Sequence, residues 1–236
     1  TSSAASDVYK RQVLFPSYYM AKKPNRFTMS CSYNTQLSTD FGRQIRGVVE
    51  QKNMQQAFKD FHLSKDSRAA DVWRTESGGA YFAVGIGGTT SGRPANLLIV
   101  DDPIKSREEA ESMTQRNKTW NYYTSALATR LQPESDGTPP RQIVILTRWH
   151  VDDLAGRLMQ TEDWQEGRWE HVNFPAIKEV MSGKMSRRML PEDDPNYLTS
   201  EQYSKVSPAK RNVPTTKQEP LWKERFPLDE LKRRER

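Results

Sequence analysis

The segment Asn96–Ser106, NLLIVDDPIKS, joins an unbroken apolar run directly to two carboxylates and a proline. A strand that is apolar at every position belongs inside a parallel sheet covered on both faces, not on a half-wet antiparallel one. In open sheets of that kind ligands bind outside the carboxyl ends of the strands. Asp101 and Asp102 are therefore predicted to stand at a ligand-facing rim.

The surrounding pattern agrees. RFTMSCSY, Arg26 to Tyr33, reads as a strand after the turn-like KKPN, and from Thr35 the apolar residues Leu37, Phe41, Ile45, Val48 and Val49 recur at helical spacing. DVWRTESGGAYFAVGIGG reads as a hairpin turning at Ser77-Gly78-Gly79 and running into the glycine-rich GIGGTTSGRP. After Asp102 the sequence predicts a long helix from Arg107 to about Leu131, opened by a Ser106/Glu109 capping box. QIVILT follows as a second fully apolar strand, predicted to be buried on both faces and to end at Thr147. A short helix is expected from about Asp152 to Met159, with Asp152-Asp153 as its cap. The fold class is α/β, a mainly parallel sheet with helices on both faces. Beyond Pro175 the chain is rich in Pro, Ser and charge, and reads as an irregular linker, with a helix start near Pro227.

Composition narrows the chemistry. Cys31 is the only cysteine, and His62, His150 and His171 are far apart, which excludes an internal disulfide and gives no metal-ligand spacing. No apolar run approaches the roughly 20 residues needed to cross a bilayer, and the start TSSAASDVYKRQ has no secretory signal, so a cytoplasmic location is expected. Residues 1–60 carry 9 lysines and arginines against 4 acids, and residues 176–236 carry 14 against 10, whereas residues 61–175 carry 13 against 16. Basic ends suit either a polyanion such as DNA or an ordinary solvated surface.

An apolar strand ending in Asp plus a second acid is the arrangement of the Walker B motif of nucleoside triphosphatases. There the first acid holds the magnesium shell and the second prepares the attacking water. The same pair also suits a loop start with a helix-capping acid.

GGAYFAVGIGGTTSGRPANLLIVDDPIKSREEAES, WNYYTSALATRLQP and QIVILTRWHVDDLAGRL, in this order, resemble the ATPase domain of the large terminase subunit of tailed bacteriophages. VLFPSYYMAKKPNRFTMSCSYNTQLSTDFGRQIRGVVE resembles the stretch just after that domain's phosphate-binding loop, and NFPAI with EPLWKERFPLDEL resembles the segment leading to its nuclease domain. The resemblance implies a P-loop NTPase-like fold, incomplete here, that couples ATP hydrolysis to translocation of viral DNA into a procapsid. It implies Mg2+ and ATP as cofactors. Double-stranded DNA, the portal protein, the small terminase subunit and a homo-oligomeric ring are the implied partners, in the bacterial host cytoplasm.

Carried over by position, Asp101 is the metal acid. Asp102 takes the catalytic-acid place, where many relatives have Glu, and both acids face the nucleotide. Thr147 matches a coupling position, or merely ends a strand. Arg93, beside Gly92, matches a region that supplies an arginine finger in trans, or anchors its turn before Pro94. The chain departs from the family in lacking any GxxxxGK[ST] segment, and no nuclease domain is recognisable. Residues 1–12 are expected to be a non-native or disordered leader, 13–175 the ATPase-like domain and 176–236 a peripheral segment. Alone, the polypeptide is expected to bind ATP poorly and not to hydrolyse it. Another nucleic-acid translocase, or a non-catalytic DNA-binding scaffold with a degenerate NTPase fold, remain as alternatives.

Overall fold

Four strands form the parallel part of the sheet: β1 (Phe27–Ser32), β4 (Ala80–Gly85), β5 (Leu97–Asp101) and β6 (Arg141–Ile145). In the computed structural model, residues 9–172, 177–186 and 212–220 are described, with a few positions between 197 and 210. Two further strands, β2 (Leu63–Arg68) and β3 (Val72–Thr75), complete a six-stranded sheet of order β2-β3-β4-β1-β5-β6. β1 pairs in parallel with both β4 and β5, and β5 with β6, while β3 pairs antiparallel to β4 and to β2. Every residue of β4 and of β5 is buried, as expected of central strands whose two faces are both covered.

Helices cover those faces. A π-helical turn, Lys10–Leu14, leads into α1 (Phe15–Lys22). α2 (Thr35–Val49) is started by Asn34, whose side chain accepts the Leu37 amide at 3.0 Å and so satisfies one of the free amides of the first turn. Phe41, Ile45, Val48 and Val49 of α2 join Val13, Met20, Tyr81, Ala83, Leu97 and Ile99 in one core cluster. A short helix, α3 (Lys52–Ala57), follows α2. On the opposite face, Tyr123 reaches β6 through its hydroxyl, which donates to Gln142 Oε1 at 2.7 Å.

The helical stretch expected over 107–131 is interrupted. It is built from α4 (Arg107–Glu111), α5 (Met113–Tyr122), a π-turn at Tyr123–Leu127 and a 3-10 turn at Ala128–Arg130. Ser112 is extended, and its side chain caps α5 by accepting from the Gln115 amide. Arg116 then closes the open end of α4, donating to the Ala110 and Glu111 carbonyls at 2.6 and 2.9 Å. The next helix, α6 (Leu154–Leu158), is shorter than the sequence suggests, but its cap is as expected: Asp153 accepts the Gly156 amide at 2.8 Å. α7 (Glu162–Gln165) follows.

β6 does not show the two-sided burial that its unbroken apolar sequence predicts. Arg141 is exposed and the other four residues are half-buried, because β6 is the last strand of the sheet and has a ladder only to β5 among the described residues. Among the described residues its other side has no strand partner, which leaves backbone N–H and C=O groups there without a ladder.

The chain divides into two units, Thr1–Arg168 and Trp169–Arg236. In the second, β7 (Ile177–Ser186) pairs antiparallel with β8 (Asn212–Pro220), so the region expected to be irregular contains a regular two-stranded ribbon. The helix start expected near Pro227 and the terminal LKRRER lie outside the described residues, as do residues 1–8.

Candidate functional site at the carboxyl rim of the sheet

Asp101 is the last residue of β5 and is 4% exposed. Its Oδ1 accepts a 2.7 Å hydrogen bond from Gln12 Nε2, delivered by the helical segment that leads into α1. Burial pushes its carboxyl up to about 6. The Gln12 hydrogen bond and the Arg11 charge offset part of that rise, and the Asp102 charge adds to it. Nothing in the sequence singled out Gln12, which falls in the stretch read as a leader.

Asp102 is the one non-glycine residue at positive φ among the described residues, at 42°. Both of its backbone groups are held by neighbouring strands: its amide donates to the Ile145 carbonyl at 2.9 Å, and its carbonyl accepts the Tyr33 amide at 3.0 Å. Left-handed backbone in a non-glycine residue costs about 1–3 kcal/mol and persists only where its surroundings over-determine it. Here the ends of β1 and β6 do so. The turn frees the Asp102 side chain to accept the Thr147 backbone amide at 3.3 Å. The structure thus brings Asp101, Asp102 and Thr147 to one end of β5 and β6, with Thr147 exposed.

Arg93 does not join them. Its guanidinium lies 5.8 Å from the centroid of the Phe82 ring on β4, and β1 separates β4 from β5. The glycine-rich loop that carries it is tied down: Tyr122 donates to the Gly88 carbonyl at 2.8 Å, Thr90 to the Ala126 carbonyl at 3.3 Å, and the Arg93 amide to the Thr90 carbonyl at 3.1 Å. The reach that glycines at 85, 87, 88 and 92 suggest is limited by these bonds.

The TRWHVDDLAGRL motif braces the rim. Arg148 pairs with Asp153 at 2.6 Å, and Asp152 pairs with both Arg116 at 3.2 Å and Arg157 at 2.8 Å. The Arg157 hydrogen bond holds the Asp152 carboxyl well below the usual carboxylate range. His150 Nδ1 accepts the Asp152 amide at 2.9 Å. Trp149 is 43% exposed and borders a shallow apolar depression lined also by Pro103, Ile104, Leu146, Thr147 and Leu154.

The donor set suits a hard divalent cation. Two carboxylates and a hydroxyl are oxygen ligands, and magnesium is commonly held by only one or two carboxylates with water and phosphate completing its shell. Burial disfavours the ionised Asp101 carboxyl, a penalty that a bound cation would offset, and Gln12 Oε1 beside it is buried with no hydrogen-bond partner among the described residues. For a triphosphate the fit fails, since no GxxxxGK[ST] segment is present to cradle it. Among the described residues no group of three or more His, Cys, Asp or Glu side chains is gathered as a metal cluster, and no helix is long and apolar enough to cross a membrane. No known protein family matches the chain, and no curated protein is similar to it.

Proposed function

We propose that this chain carries the metal-and-water side of a nucleoside triphosphatase centre, in a P-loop-like core belonging to a DNA-packaging motor of the terminase large-subunit kind. The observation that supports this most is the rim geometry: a buried strand-terminal Asp101 followed by a backbone-strained Asp102 whose carboxylate reaches the end of the next strand at Thr147. Strain of this kind is retained at functional sites more often than in ordinary loops.

In this reading Asp101 holds magnesium, directly or through its water shell, and a bound magnesium ion supplies charge neutralisation for phosphate oxygens. Asp102, whose carboxylate is held at the Thr147 amide, orients a water and accepts its proton. Because the Asp102 carboxylate also touches the Thr147 amide, a change of charge at Asp102 is felt at the end of β6. That contact is a route by which hydrolysis reaches the TRWHVDDLAGRL segment. The phosphate-cradling loop has to come from sequence that this chain does not contain, and the DNA, portal, small-subunit and ring partners belong to the same reading.

The experiment is a pair of titrations on the chain. Manganese, standing in for magnesium, is expected to bind saturably by electron paramagnetic resonance and to lose that binding in Asp101→Asn. A fluorescent ATP analogue with magnesium is expected to bind only weakly. Absence of a saturable manganese site contradicts the assignment of Asp101, and submicromolar affinity for the analogue contradicts the assignment of this chain to the metal side alone.

A further inference from the structure

Ser32 closes β1 fully buried, and among the described residues its hydroxyl oxygen has no hydrogen-bonding partner. Leaving such a group unpaired costs about 1–3 kcal/mol, so its retention asks for a cause. Two ladders define its surroundings. Cys31 pairs with Val100, so the next residues along, Ser32 and Asp101, project together on the opposite face. On the other side Ser32 pairs with Gly85. A Cβ at Gly85 would lie 2.5 Å from the Thr35 nitrogen, so the start of α2 closes that flank. Ser32 and Asp101 therefore stand on adjacent strands, about 4.8 Å apart in backbone spacing, with the α2 start on the other flank of Ser32.

We propose that Ser32 is a positioning residue for the cation site: its hydroxyl donates to the Asp101 carboxylate, or to water on it, when Asp101 holds a divalent cation. The inference rests on the reading of Asp101 as the metal acid. One Asp101 oxygen already accepts from Gln12, and an ionised carboxylate has lone pairs to spare for another donor. A serine hydroxyl can rotate into that bond without moving the backbone. Carboxylates that ligate metals are commonly hydrogen-bonded in turn, and loss of such a partner typically lowers metal affinity about 10- to 100-fold. Thr28 provides the contrast. It lies on the same strand and the same face, is also fully buried with an unpartnered hydroxyl, but pairs with Leu97 at the far end of β5.

The test is a manganese titration of the full chain by electron paramagnetic resonance, comparing wild type, Ser32→Ala, Thr28→Val and Asp101→Asn, with melting temperatures recorded for each. The expected result is a roughly tenfold or greater rise in Kd for Ser32→Ala, no more than about a twofold change for Thr28→Val, and loss of saturable binding for Asp101→Asn. Wild-type affinity in Ser32→Ala, with binding lost in Asp101→Asn, overturns the role of Ser32 and leaves the cation reading intact. Equal weakening by Ser32→Ala and Thr28→Val also overturns it, since packing alone would then explain both. Undiminished binding in Asp101→Asn overturns the cation reading itself. If Ser32→Ala does not fold, Ser32→Cys, which keeps the volume and supplies only a weak donor, is held to the same criterion.

Discussion

The carboxylate of Asp102 accepts the backbone amide of Thr147 at 3.3 Å, across the gap between the ends of β5 and β6. The contact depends on an Asp102 backbone at φ 42°. Glycine adopts that conformation without penalty, and alanine does not. Asp102→Gly is therefore expected to be more stable than Asp102→Ala by about 1 kcal/mol, the reverse of the usual order within strands and helices. Chemical denaturation of the two variants checks this, and equal midpoints would mean that the left-handed geometry is not maintained.

Asp101 predicts a pH dependence. Its carboxyl titrates near 6 in the folded chain because burial disfavours the charged form, and near its ordinary 3.8 when unfolded. The folded state therefore holds this proton more tightly than the unfolded state does. The associated stability is fully present below about pH 4 and is lost as pH rises through 6, with a magnitude on the order of 3 kcal/mol. Without divalent cation, Asp101→Asn is expected to gain stability over wild type at pH 8, and by only about a third as much at pH 4.5. Thermal melts of both proteins at the two pH values measure the difference.

Two glycines in helices are expected to respond oppositely to alanine. At Gly47, within α2, an added Cβ meets nothing within 4 Å, so Gly47→Ala should stabilise by about 0.5–1 kcal/mol through the better helix propensity of alanine. At Gly156, within α6, a Cβ would lie 1.8 Å from the Val151 carbonyl oxygen, and that backbone is fixed by Arg148 and Asp153. Gly156→Ala should destabilise by several kcal/mol, on the order of other steric insults to packed backbone. Urea midpoints decide both.

Much of the architecture was legible because local pattern and tertiary environment agree. α2 has apolar residues at helical spacing behind an Asn cap, and β5 is apolar throughout because both its faces are covered. β6 has the same apolar character but ends the sheet, and strand order is not written in the periodicity of a single segment. The break at Ser112 escaped notice because its local sequence is helix-compatible; what fixes it is Arg116 folding back onto the Ala110 and Glu111 carbonyls. Of the site, the acids were legible as a strand-end pair. The Asp102 backbone geometry was not, since it is imposed by Tyr33 and Ile145 from other strands. Ser32 gave no signal at all, because only pairing with its neighbours puts a buried serine beside Asp101.

Arg93 separates two roles. Over the Phe82 ring it contributes a partly exposed cation–π contact of about 0.5–1 kcal/mol, so Arg93→Ala in this chain should lower stability by no more than that and leave manganese binding unchanged. A finger acting on a neighbouring copy, as the proposed function implies, would instead show itself as lost hydrolysis at unchanged metal affinity. Steady-state hydrolysis set beside manganese titration distinguishes the two.

The most direct measurement is magnesium-dependent ATP hydrolysis by this sequence with a phosphate-binding loop fused ahead of it, comparing the unaltered fusion with one in which Asp101 and Asp102 are both changed to Asn. The account predicts a fall of at least about a hundredfold, the lower end of what a positioned general base contributes. Turnover at the rate of the unaltered chain would contradict it.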